Sequence, residues 1–592
     1  MKLRIWKLIN LPFIATSKGA VLFWLVLSLA FAILYGISGL QDALDDPYMV
    51  QDDARQHVFW MRRFLDPDLF PNDLIADYFQ SVAPAGYTAF YRIPAWFGVD
   101  PLFLNKLLPT ILAVITTFYS FGACLQILPI PVAGFVSTLL LNQNLWMRDD
   151  LVSATPAAFV YPFFAAFLYY WLKRSLLGTS LAIAWLGSCY PQCVLIACGV
   201  LILGLFDWKK WRIELSRDRT QSRIIIAGLV VAFAVLLPYA VRSSDFGDII
   251  TASTAKTLSD FSEDGWSSFF FENPFEFWLC GKRSGVFPPE WCYLGYEGIS
   301  SDADWYRYFP FKLPQTWFAL AFPLLLAFPQ PFPLVRRVNR NVVVLGQILV
   351  VSIALFFLSH AVLFKLHLPN RYTEHSFRIV AAIAAGFAII ILLDVIVQAW
   401  SRWLAVGLSV FVAIALIGYP DTLKLNDSDF PFTGYKTGRF PQIYEFLQQQ
   451  PKDIVIASLD KEINNLPTFA KRSIFVGADG YTLPYHRDYY REASQRTIAL
   501  MEAQYSSDRD RVRQFIETSG IDFWILDTDA FTAKYISQND WLEQYPDIRD
   551  KIATQFQSGT IPVLPQWRDR CTVLVEKDLV VLQTSCILNG RP

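Results

Sequence analysis

YMVQDDARQHVFWMRRFLDP, residues 48–67, follows closely on the first long apolar run of the chain. It sets Asp52, Asp53, Arg55, His57, Arg62 and Arg63 among Phe59, Trp60 and Met61. From Asp53 onward the stretch predicts a short helix with Asp52 or Asp53 near its N-cap, where unpaired backbone donors favour a carboxylate. Its apolar side predicts a helix lying along a membrane surface, with Phe59, Trp60, Met61 and Phe64 entering the interfacial zone. Asp53 and His57 are four apart and share a face. Two carboxylates, an imidazole and three guanidiniums would then stand at a membrane boundary, a suitable place to act on a lipid phosphate. The same residues also suit a plain N-cap with ordinary interfacial anchors.

The rest of the chain makes a membrane setting necessary. Of 592 residues 54% are hydrophobic and 16% aromatic, and a mean hydropathy of +0.33 is too high for an ordinary soluble protein. A net charge of -1 gives no field to draw nucleic acid, and none is expected as a partner. Apolar runs near 20–40, 104–123, 128–145, 156–172, 223–241, 314–330, 341–362, 376–398 and 403–419 read as spans, each close to the about 20 residues that cross a bilayer as helix. The run 179–206 is broken at SCYPQC by Pro191. A hairpin of two short helices is preferred there over one tilted span, because only then do the basic segments fall on one side.

Those segments are MKLRIWK, Lys173 and Arg174, 207–223, RRVNR at 336–340, and Arg402. With these cytoplasmic, the loops 41–103 and 242–313 and everything after about 420 lie outside. The N-terminal apolar run is expected to be an uncleaved anchor. The chain thus divides into a polytopic membrane domain, 1–419, and an extracytoplasmic domain, 420–592. In the latter, DIVIAS, SIFVGA, DFWILD and TVLVEKDLVVLQT read as strands and the intervening Glu-, Gln- and Arg-rich segments as helices, an α/β domain. No glycine-rich phosphate loop follows these strands, no C-x-x-C motif occurs, and there is no internal repeat. Cys280 with Cys292 and Cys571 with Cys586 fall on the oxidising side and are expected to pair.

A second group of charges lies far along the chain. KLHLPNRYTEHSFRI, 365–379, joins two spans on the outer side and holds Lys365, His367, Arg371, His375 and Arg378 against Glu374 alone. So many cations outside run against the positive-inside tendency and call for an anionic partner. That partner is either the acidic first loop or a phosphate gripped by Arg371 or Arg378.

The many spans, the acidic pair of QDDARQH at 51–57 just after the first of them, the interfacial helix behind it and the C-terminal α/β domain resemble the GT-C class of integral-membrane glycosyltransferases. The resemblance covers the whole architecture, although its motif is short. It implies a sugar donor on a polyprenyl phosphate, in a bacterial inner membrane, and a glycan, lipid or protein acceptor. It implies Asp52 or Asp53 as general base with His57 beside them, and Arg371, His375, Arg378 and Lys365 on the phosphate. Where members of the class use a divalent metal, Asp53, Asp149 and Asp150 are the candidate ligands.

The residue types suit that chemistry. A lipid-phosphate sugar brings its own leaving group, so the protein must deprotonate an acceptor hydroxyl and offset charge on the departing phosphate. Inversion at the anomeric carbon is implied by the resemblance alone. Trp266, Trp278, Trp291 and Tyr296 are placed to stack on sugars or to form their loop's own core. Two alternatives stand beside the enzyme: a transporter or flippase of lipid-linked sugars, for which Asp394 is the clearest intramembrane charge, and a non-catalytic scaffold of the same fold.

Overall fold

The computed structural model describes residues 16–209, 212–292, 315–399, 401–423 and 430–590. Among the described residues six helices are long and apolar enough to cross a membrane: Lys18–Leu44, Pro101–Ile127, Arg219–Val241, Arg340–Ala361, Pro369–Ala399 and Trp403–Pro420. Shorter apolar helices complete the bundle at Pro156–Leu172, Leu176–Cys189, Pro191–Leu203 and Gln315–Ala327. The run at 179–206 is the expected hairpin, turning at Tyr190, whose φ of -150° and ψ of 84° leave the helical region just before Pro191. Between them, Pro131–Trp146 is buried along its whole length, packed among Lys18–Leu44, Pro101–Ile127 and the axial helix Glu374–Ala399. That burial explains why its apolar residues run all round and not along one stripe.

The bundle has two unlike ends. At one, Asn339 N–H donates to Ile127 O at 2.8 Å and Arg174 pairs with Asp218 at 2.6 Å. At the other lie the first long loop, the segment 242–292, the turn 362–373 and the C-terminal α/β unit, joined by many contacts.

That unit is built on a five-stranded sheet in the order Ser473–Ile474, Val455–Ser458, Phe523–Asp527, Leu579–Gln583, Thr572–Glu576. The first three strands are parallel and the last two form an antiparallel hairpin. The apolar run 572–584 folds on itself because Lys577 adopts a left-handed φ of 53° between the two strands. A sixth short strand of the unit, Tyr435–Thr437, leaves the sheet to pair antiparallel with Met49–Gln51 of the first loop.

The interfacial-helix expectation is corrected. Residues 54–64 form a four-residue helix, Ala54–His57, and a 3-10 turn, Phe59–Phe64. Phe59, Trp60 and Met61 are sealed inside protein: Phe59 meets Phe70 of the first loop at 5.1 Å and Tyr481 of the C-terminal unit at 6.1 Å, and Trp60 meets Phe64 at 5.7 Å. The aromatics fill a protein core and leave lipid contact to others.

Both expected disulfides form, with Cα separations of 5.6 Å for Cys280–Cys292 and 5.5 Å for Cys571–Cys586. The second ties together the two ends of the 572–583 hairpin. Replacing both Cys571 and Cys586 by Ser is expected to cost about 3 kcal/mol of stability in the chain-entropy picture, read as a lowered denaturation midpoint. An unchanged midpoint would show that the hairpin holds itself.

Candidate active site

The first loop is presented by the C-terminal unit. After the Met49–Gln51 strand, Asp52 N–H donates to Gly434 O at 3.1 Å. The Asp52 carboxylate accepts from Arg55 and stands 3.5 Å from Lys436 Nζ. Arg55 in turn donates to Asn465 Oδ1 at 2.9 Å, and Tyr481 Oη donates to Arg55 O at 2.6 Å. Asp52 therefore faces the junction between the loop and the C-terminal unit.

Asp53 faces elsewhere. It occupies the N-cap position of Ala54–His57 but its side chain makes no capping bond. It lies near enough to Arg371 and Tyr87 to act on both electrostatically. His57, whose N–H donates to Asp53 O at 3.0 Å, feels the same guanidinium. Burial first, and then Arg371, pull the His57 imidazole from its usual range down to about 4. The two distant charge groups of the sequence thus meet in one place.

Behind them lies a buried ion cluster centred on Arg378, of which 1% of the side chain is exposed. Its five N–H groups are all engaged. Nε donates to Glu290 Oε1 at 2.6 Å, and Nη2 donates to Glu290 Oε2 at 2.9 Å and Glu374 Oε1 at 3.0 Å. Nη1 donates to Asp150 Oδ2 and, at 2.6 Å, to Tyr161 Oη. Burial raises the Asp150 carboxyl, but Arg378, His375 and Arg371 outweigh it and hold the group well below the usual carboxylate range. Arg148 stands 3.7 Å from Glu290 Oε2.

Arg371 is the more open of the two arginines. Its side chain is 27% exposed and Nη1 donates to Glu374 Oε2 at 3.1 Å. His375 is buried, with Nδ1 3.0 Å from Tyr161 Oη. Lys365 is exposed on the connection before them, and His367 is lowered to about 3, by burial and then by Arg371.

The cationic segment thus finds its carboxylates in Asp150, Glu290 and Glu374, with Asp53 near its edge. Sequence reasoning had not singled out Glu290 or Tyr161. Glu290 sits in the one-turn segment Pro289–Trp291 next to the disulfide at Cys292, and PPEWC offered that cysteine as its only signal. Trp266 and Trp291 pack on protein rings, Trp541 at 5.6 Å and Phe377 at 6.1 Å. Trp278 is 41% exposed beside His360. Tyr296 and the Asp149 side chain lie outside the described residues.

Asp150 is neutralised by a guanidinium, and among the described residues no three His, Cys, Asp or Glu side chains converge as ligands.

No protein-family model matches the sequence, and no curated protein matches it. Solved structures do. The oligosaccharyltransferase of Archaeoglobus fulgidus tethered to an acceptor peptide with the NVT sequon aligns with 90% of this chain over 72% of its own, at 12% identity and a TM-score of 0.57. The same protein, AglB, in complex with an inhibitory peptide and a dolichol-phosphate gives 0.54 over the same shares at 12% identity. Its complex with Zn and sulfate gives 0.52 at 11% identity, over 89% of this chain and 70% of that one. The chain has the GT-C fold. At these identities the likeness is one of fold, and the assignment of chemistry rests on the geometry above.

Two expectations follow. Arg378→Gln leaves Asp150, Glu290 and Glu374 confronting one another without their cation, at a cost of about 3–5 kcal/mol. A collapse in folded yield and thermal midpoint is expected, partly restored when Glu374→Gln is added; a wild-type midpoint in the single variant would refute the hub. The second concerns pH. Unfolded His57 takes up a proton below about 6.5 and the folded protein only near 4, so stability falls as pH drops through that window, by at most about 1.4 kcal/mol per unit. His367 and His486 act in the same direction. The slope of thermal midpoint against pH should therefore flatten, and not vanish, in His57→Gln; an unaltered slope would place His57 in water.

Proposed function

We propose that this chain is an integral-membrane glycosyltransferase. In this reading it moves a sugar from a polyprenyl-phosphate donor to an acceptor on the extracytoplasmic side of a bacterial inner membrane. The observation that carries the reading is the convergence of Asp53, His57 and Arg371 from segments more than three hundred residues apart. The dolichol-phosphate and acceptor peptide named with AglB support a lipid phosphate and an acceptor as partners.

Asp53 is the base. Its carboxylate lies near Arg371, on the side where the phosphate would sit, and can take the proton of an acceptor hydroxyl. Arg371 offsets the charge that grows on the departing phosphate, and its planar fork suits two phosphate oxygens. His57, neutral near pH 7, adds no charge and can order the acceptor through a ring nitrogen. Arg378 stays with its carboxylates and fixes the helix that carries Arg371 and His375, while Lys365, exposed nearby, meets the lipid phosphate from the water side. The bond from the anomeric carbon to phosphate breaks as the acceptor oxygen attacks from the opposite face, which inverts the centre. No step is assigned to a metal. Asp394, the charge a transporter reading would use, accepts from Gln398 on its own helix at 2.8 Å.

The outer location follows from the Lys and Arg residues gathered at the opposite end of the bundle, Lys173, Arg174, Arg336, Arg337 and Arg340 among them. A Ser507→Cys variant is expected to react with an impermeant maleimide in intact cells, and reaction only after lysis would reverse the topology and remove the reading with it. Asp53→Asn keeps size and capping ability, so it should lose roughly a hundredfold or more of transfer at an unchanged thermal midpoint. Asp52→Asn should instead lower the midpoint with the smaller loss of transfer. Full transfer by Asp53→Asn would assign the base elsewhere.

A further inference from the structure

Among the buried nitrogens that have no partner among the described residues are Arg371 Nε and His375 Nε2, both sealed from solvent. Arg371 lies in the 3-10 segment Pro369–Tyr372 just before the axial helix and His375 in that helix's first turn, close enough for the guanidinium to act on the imidazole. A buried donor without an acceptor costs its desolvation and returns nothing, and the pair is therefore out of balance unless an acceptor joins it.

Whether His375 Nε2 carries a proton depends on the other ring nitrogen. Tyr161 Oη accepts from Arg378 Nη1 at 2.6 Å, which leaves its single proton for one acceptor. His375 Nδ1 is at 3.0 Å, against 3.5 Å for Asp150 Oδ2, an oxygen that already accepts from Arg378. The nearer and less occupied acceptor is Nδ1. An imidazole that accepts at Nδ1 bears its proton on Nε2.

We infer that Tyr161, itself oriented by Arg378, holds His375 as the Nε2–H tautomer, and that Nε2–H and Arg371 Nε–H together bind an oxygen of the donor's phosphate. Tyr161 is a positioning residue, which touches no substrate and sets the direction of the proton that does. The inference rests on the glycosyltransferase reading for the identity of the phosphate, and not for the tautomer.

The chain has five histidines, few enough for 15N-histidine NMR of the protein in lipid nanodiscs, with His375 assigned by its loss in His375→Asn. The wild type is expected to show a protonated Nε2 and an unprotonated Nδ1, and a short-chain polyprenyl monophosphate to shift Nε2. Tyr161→Phe is expected to give a mixture of tautomers and, where transfer is measured, a kcat lower by roughly tenfold or more with KM little changed. An Nδ1–H form in the wild type overturns the orientation, and that spectrum decides it even if Tyr161→Phe does not fold. An unaltered tautomer in Tyr161→Phe removes the role of Tyr161. An Nε2 signal indifferent to saturating polyprenyl monophosphate removes the phosphate contact. A wild type that shows every expected resonance and transfers no sugar from polyprenyl-phosphate donors would instead overturn the proposed function and leave the phosphate site standing.

Discussion

A guanidinium buried at the end of an apolar bundle can exist only if its charge and all five of its N–H groups are met, and in this protein that requirement organises the site. Arg378 draws Glu374 from its own helix, Tyr161 from the helix Val160–Leu172, Asp150 from a turn between helices and Glu290 from a turn beside a disulfide. None of the turns could wander without stranding a charge. The helix Glu374–Ala399 is thereby fixed in rotation as well as position, and with it the direction in which Arg371 and His375 present their nitrogens.

The C-terminal unit performs the matching task for the first loop. The strand pair of Met49–Gln51 with Tyr435–Thr437 sets the register of the QDD segment, and the bonds from Arg55 to Asn465 and from Tyr481 to Arg55 O lock the turn that follows. Adjacent residues entering a helix point in different directions, so one carboxylate of the pair must turn to the unit and the other to the bundle. Lys436 and Arg55 hold Asp52, and Asp53 is left on the side of Arg371. The unit is thus part of the site's construction.

Much of this was legible in the residues. Six of the expected spans, the hairpin broken at Pro191, the strands of the C-terminal unit and both disulfides follow from periodicity, proline chemistry and cysteine spacing, all of them local. The covering of Phe59, Trp60 and Met61 was not. An amphipathic stretch looks the same whether its apolar side meets lipid or a domain folded back from residue 430 onward, since both are apolar to it. Nor could Glu290 be found, because a single carboxylate in a loop carries no period, and only the far guanidinium gives it a purpose. The cationic run at 365–379 announced that it needed anions, and its composition could not say which.

Under the proposed function, those anions change what the site would use to hold a phosphate. The buried cluster sets Asp150, Glu290 and Glu374 against Arg148, Arg371 and Arg378, and Asp53 stands beside it, so the carboxylates are not outnumbered. An anionic headgroup is consequently not drawn in by a surplus of positive charge, and long-range attraction at an exposed boundary would in any case be screened within about 10 Å. Recognition must come from short-range hydrogen bonds, from donors whose direction is already set and whose solvation was removed when the bundle folded. A site of that kind favours a ligand by geometry over one that brings charge alone, which suits a surface where every neighbouring phospholipid also carries a phosphate. In the proposed function the carboxylates that cancel the arginines would therefore serve selectivity: they quiet the field and leave the oriented N–H groups to choose.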